Sequence, residues 1–139
     1  MNISEHITYE EGIHSEKAIK FKLDNTPNEE NLSCMKIVAE YCFEPLRKWY
    51  GKPIRINSFF RSPEVNKAVN GSKTSDHMKG RAIDIDAGSR LENLKLFNYC
   101  KANLKFDQLI WENDGAWVHI SFNINGNRNE VKSLKQIIT

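Results

Sequence analysis

The chain has 139 residues, a length that suits one domain, and its 40% of hydrophobic residues is enough to build one core. Lys and Arg number 20 against 18 Asp and Glu, which leaves a formal charge of +2 and a pI near 8.4. That balance is too mild to announce a nucleic-acid partner, and no apolar stretch approaches membrane-spanning length.

The start, Met1-Asn2-Ile3-Ser4-Glu5-His6, lacks the basic segment and apolar run of a signal peptide, so synthesis in a reducing cytoplasm is expected. A substrate outside that compartment would require separate delivery. Cys34, Cys42 and Cys100 cannot all pair and lack the close spacing of a cysteine metal site, so buried free thiols are expected. There are no repeats or linker-like compositions. One domain over residues 1–139, acting as a monomer, is the expected organisation.

Thr26-Pro27-Asn28-Glu29 predicts a helix start, with Thr at the N-cap, Pro at N1 and Glu at N3. Leu32, Met35, Ala39, Cys42 and Leu46 recur at helical spacing and mark its inner face. Pro45 should kink the helix or begin a second segment ending near Trp49, and Gly51-Lys52-Pro53 stops it. Ile54 to Phe60 reads as a strand. Ser62-Pro63-Glu64 opens a short helix running to Gly71, which pins Arg61 between a strand end and a helix start. Ser89-Arg90-Leu91-Glu92 opens another, with Leu91, Leu94, Phe97 and Cys100 facing inward. Phe106 to Glu112 and Trp117 to Phe122 form a hairpin around Asp114-Gly115. The order predicts an α+β domain with a small, mainly antiparallel sheet and helices packed on it.

Alternation in the strand centred on Ile83 places Ala82, Asp84 and Asp86 on one face and Ile83 and Ile85 on the other. His77 lies seven residues before Asp84, across a turn that Gly80 makes possible. Trp117, His119 and Ser121 likewise share a face. His77, Asp84 and His119 are thus candidate ligands of a divalent metal with a fourth position open, which is the pattern of a catalytic zinc site. A hydrolase also needs a base beside the metal-bound water. With a two- or four-residue turn, Glu112 pairs opposite Trp117 and shares the face of His119; a three-residue loop would break that parity. Arg61 would suit a fixed fork for a substrate carboxylate or a developing oxyanion. Ser75 is a candidate for orienting substrate or a ligand, or for stabilising the turn.

At these residues the sequence resembles the zinc D-Ala-D-Ala carboxypeptidase family of metallopeptidases, most closely its compact phage-type members. The most specific match is Ser75-x-His77-x-x-Gly80-x-Ala82-x-Asp84-Ile85 followed by Trp117-Val118-His119-Ile120-Ser121. The resemblance implies a hedgehog/D,D-peptidase-like fold, Zn2+ held by His77, Asp84 and His119, an acidic base, and a substrate-steadying arginine, here Arg61. It also implies cleavage of peptide bonds in bacterial peptidoglycan stem peptides or cross-links, as in endolysin-like wall degradation. Relatives of this type carry the base three residues before the last histidine, where this chain has Ala116. Glu112 is then the leading base and Asp114 the fallback. The competing reading is a non-catalytic zinc-binding domain, as in hedgehog-type signalling proteins, or a wall-binding module.

Overall fold

The computed structural model describes residues 1–135; the last four positions of the expected domain lie outside the described residues. A small hairpin, β1 (Asn2–Ser4) with β2 (Ile7–Thr8), leads into α1 (Tyr9–Ile13) and α2 (Glu16–Phe21). Next come α3 (Glu29–Val38), a π-helical turn (Ala39–Phe43), α4 (Glu44–Tyr50), β3 (Arg55–Ser58) and α5 (Pro63–Ala68). A 3-10 turn (Asp76–Lys79), β4 (Ala82–Asp86), α6 (Arg90–Asn103), β5 (Gln108–Glu112), β6 (Trp117–Ser121) and β7 (Glu130–Ser133) complete the chain.

Five strands form one sheet in the order β3-β4-β6-β5-β7. The β3–β4, β4–β6 and β5–β6 pairs are antiparallel, whereas β7 runs parallel to β5. The sheet is therefore mixed, with three antiparallel pairs and one parallel pair where Glu130–Ser133 returns to the β5 edge. Among the described residues no helix is long and apolar enough to cross a membrane.

Period-two alternation divides the sheet chemically. Ile83 pairs with Ile120 and Ile85 with Val118, and on the far side Leu109 and Trp111 pair with the same two β6 residues. These side chains are buried in the core with Met35, Val38, Phe43, Leu46, Leu96 and Cys100 from the helices. The opposite face carries Asp84 beside His119, and Glu112 beside Trp117. Residues adjacent in sequence thus enter unlike environments, apolar on one side and polar on the other.

Several boundaries differ from the sequence reading for local reasons. Asn28, not Thr26, caps α3: its side chain accepts the Asn31 amide at 2.8 Å while Asn31 accepts the Asn28 amide at 3.1 Å. Pro27 consequently precedes the cap. At Pro45 the expected second segment does begin: the π-helical turn bonds the Glu44 amide to the Ala39 carbonyl and leaves Pro45 in the first turn of α4, where no amide donor is needed. In α6, Asn93, Leu96 and Cys100 are buried, whereas Leu91 and Leu94 are exposed. The polar Asn93 takes an inner position since its Nδ2 donates to the Gly115 carbonyl (2.9 Å) and its Oδ1 accepts from the Ala87 amide (2.6 Å). All three cysteines are free; Cys42 and Cys100 are buried and Cys34 is half-buried.

Two predictions arise from this framework. Gly80 has φ +76, and a Cβ there would lie 2.5 Å from the Asn31 carbonyl oxygen and 2.9 Å from Met35 Cγ. Gly80→Ala is expected to destabilise the fold by about 2 kcal/mol or more, read by chemical denaturation. Glu44 ties the β1–β2 hairpin to α4 by accepting from Ser4 Oγ (2.5 Å) and the His6 amide (2.9 Å), with His6 Nδ1 at 2.6 Å. Burial pushes its carboxyl up, but the bonds from His6 and Ser4 outweigh this and leave it below the usual glutamate range. A depressed folded-state pKa gives stability that is present above the unfolded value and lost as pH falls through the folded one. Glu44→Gln should therefore lower the urea midpoint at roughly pH 7, with the difference from wild type shrinking progressively in acid.

Candidate metal centre

His77, Asp84 and His119 come together from three segments: the 3-10 turn, β4 and the middle of β6. One potential ligand atom from each lies within 4.8 Å of the other two. Asp84 and His119 are direct cross-strand partners, so the sheet register itself brings them together. His77 arrives through a turn closed by Gly80, whose amide donates to the His77 carbonyl at 3.2 Å. Ser75 caps this turn by accepting the His77 amide at 3.2 Å.

The protonation pattern points to a cation. His77 is fully buried, and its Nδ1 lies 2.7 Å from the Phe59 carbonyl. A carbonyl only accepts, so Nδ1 carries the hydrogen and the Nε2 lone pair is directed to the cluster. Burial pulls the His77 pKa down, against the opposing pull of Asp84, which favours the neutral ring with that lone pair available. Nε2 lies 3.2 Å from Asp84 Oδ2 yet makes no hydrogen bond. A neutral imidazole lone pair beside a carboxylate oxygen leaves two acceptors facing each other, an arrangement that a divalent cation satisfies.

Asp84 Oδ1 lies 2.9 Å from His119 Nδ1. Burial alone would raise the Asp84 carboxyl, but the hydrogen bond with His119 opposes this and the carboxyl lies well below the usual aspartate range. The residues present, two imidazoles and one ionised carboxylate, therefore fit a metal such as zinc in donor type and number.

Around the cluster, Asn25 fixes the segment that carries Arg61. Its side chain donates to the Ile13 carbonyl (2.7 Å) and the Phe60 carbonyl (3.2 Å), and accepts the Ser62 amide (2.7 Å). The Arg61 amide donates to the His77 carbonyl at 3.1 Å, and its Nη2 donates to Ser75 Oγ at 3.2 Å. Arg61 is only 7% exposed and its Nε has no hydrogen-bond partner. Burial lowers its pKa, and the charges of Asp84 and Glu112 counter that effect. Glu112 is fully buried and pairs opposite Trp117, on the His119 face. The turn is a four-residue loop, so the parity condition on Glu112 is met. Asp114, the fallback base, is exposed at a positive φ and lies 3.5 Å from Arg90 Nη2 instead.

A cleft of about 520 Å3 reaches His119, Ser75 and Ile110 and continues past Asp76, Lys79, Arg81 and Arg128. Sequence reasoning passed over three participants: the Phe59 carbonyl, Asn25 and the Asp107–Arg128 pair on the cleft wall. None of them has a local signature, since each acts on residues distant in sequence. A second group, Glu5, His6 and Glu44, also gathers potential ligand atoms, but at the surface and with hydrogen bonds between His6 and Glu44.

Two comparisons bear on this site. Residues 5–121 match the family model described as Peptidase M15. A stretch of 55 residues is 40% identical to the zinc D-Ala-D-Ala carboxypeptidase of Streptomyces albus G, covering 39% of this chain and 22% of the length of that protein. A family match over most of the chain, including all three grouped residues, is sufficient to assign membership: the chain belongs to the peptidase M15 family.

Proposed function

We propose that this protein is a zinc-dependent metallopeptidase that hydrolyses peptide bonds in peptidoglycan stem peptides or their cross-links, with a hedgehog/D,D-peptidase-like fold. The observation that carries the reading is the facing of His77 Nε2 and Asp84 Oδ2, two acceptors 3.2 Å apart, with His119 completing the set. Family membership and the name of the Streptomyces relative support zinc as the cation and D-alanyl peptides as the substrate.

In this reading His77, Asp84 and His119 hold the metal, and the cleft beside His119 admits peptide. When bound, zinc would lower the pKa of water and polarise the scissile carbonyl. Glu112 accepts the proton of the attacking water and delivers it to the leaving amine. Arg61 steadies the negative charge that develops on the substrate, either as a terminal carboxylate or as the oxyanion. It stays in position because its backbone and side chain are both tied to the His77 turn. Ser75 acts through Arg61 and the turn as well as lining the cleft.

The experiment is incubation of purified protein with defined muropeptides, with and without chelator, and product analysis by mass spectrometry. Chelator-sensitive release of D-alanine or of a split stem peptide is expected; zinc binding without products would overturn the peptidase reading in favour of a non-catalytic domain. Glu112→Gln should retain stoichiometric zinc while lowering kcat by about 100-fold or more. Adding zinc to the metal-free protein should raise the Tm of wild type and leave that of Asp84→Ala nearly unchanged, since a ligand that binds only the folded state stabilises it.

A further inference from the structure

The cleft beside His119 has a charge of its own. Lys79, Arg81, Arg128 and Lys132 line it against two acids, Asp76 and Asp107. The excess of two positive charges equals the formal charge of the whole chain. A cleft that concentrates one sign of charge focuses the field on whatever enters it.

The four cations are not equivalent. Asp107 clamps Arg128 through three bonds: Nε to Oδ1 (3.0 Å), Nη2 to Oδ2 (2.9 Å) and the backbone amide to Oδ1 (3.0 Å). The clamp orients the guanidinium and leaves its other edge open to a ligand. Asp76 lies within electrostatic reach of Arg128, and Lys132 pairs with Glu130 at 3.3 Å. Lys79 and Arg81 make no ion pair among the described residues. They flank Gly80 between His77 and Asp84, so the unneutralised charge stands on the turn that also delivers His77. Arg61 cannot supply this function at the rim, because it is buried and engaged with Ser75.

We propose that Lys79 and Arg81, beside the clamped Arg128, form a carboxylate-binding subsite that selects acidic peptides carrying a free carboxylate beyond any group held by Arg61. The substrate class rests on the peptidase reading above; the existence of the subsite is tested by binding alone.

The probe is a stem pentapeptide ending in D-Ala-D-Ala, compared with two derivatives, one amidated at its glutamate carboxyl and one at its C-terminus. Each is titrated calorimetrically into zinc-loaded Glu112→Gln protein at low salt. At least one amidation is expected to weaken binding about tenfold, and which one does so identifies the carboxylate that is read. The preference should narrow as salt rises. Adding Lys79→Met and Arg81→Met should bring the acid and amide peptides within about twofold of each other, and Lys79→Met alone, at an exposed side chain, should give part of that loss. Equal binding of all three peptides to the parent protein, no binding of any of them, or a preference that survives the added substitutions would overturn the subsite. Failure of wild-type zinc protein to cleave any of the peptides would instead overturn the peptidase reading, and the binding ratios would still judge the subsite.

Discussion

The pairing of β4 with β6 is the constraint from which the rest of the site derives. Asp84 stands opposite His119, while Ile83 and Ile85 on either side of Asp84 pair with Ile120 and Val118. A slip of one residue would turn the isoleucines into the cleft and drive Asp84 and His119 into the apolar core, so hydrophobic burial holds the register that the polar cluster requires. The geometry of the site is thus enforced by the core behind it. Two buried side chains that repel or orphan each other without a cation are tolerable because the core supplies the stability that they do not.

Burying such groups is costly, and the fold offsets the cost by orienting each of them. The Phe59 carbonyl fixes the His77 tautomer, Ser75 and Gly80 hold its turn, and Asn25 holds the segment bearing Phe60, Arg61 and Ser62. Asn93 does the same on the other side, linking the end of β4 to the β5–β6 loop through Ala87, Gly115 and Ala116. Supporting bonds of this kind set the aim and basicity of metal ligands as much as the ligands themselves do.

Local chemistry made much of this legible in the sequence. Period-two alternation around Ile83 and Val118 placed Asp84 and His119 on the polar face, and the Ser62 and Ser89 caps marked two helix starts found in the structure. Readings failed where the choice of hydrogen-bond partner decided the outcome. Leu91 and Leu94 lost the inner face of α6 to Asn93, whose partners lie more than twenty residues away in the β5–β6 loop. The π-helical turn before Pro45 has no signature in residue type, since it depends on which carbonyl each amide finds. β7 escaped notice because its four residues are mostly exposed and show no apolar alternation; its pairing depends on β5 already being in place.

The hairpin also fixes where Glu112 stands on the sheet. The Ala116 amide donates to the Glu112 carbonyl at 3.1 Å, so the loop closes on the end of β5. Their side chains part there, because Ala116 is exposed and Glu112 is fully buried. Asp114 cannot compete from the crest of the loop, where its left-handed backbone turns it outward to Arg90. Glu112 is fully buried and is held by the same strand pairing that aligns His119. The sheet thus fixes the Glu112 backbone relative to Asp84 and His119.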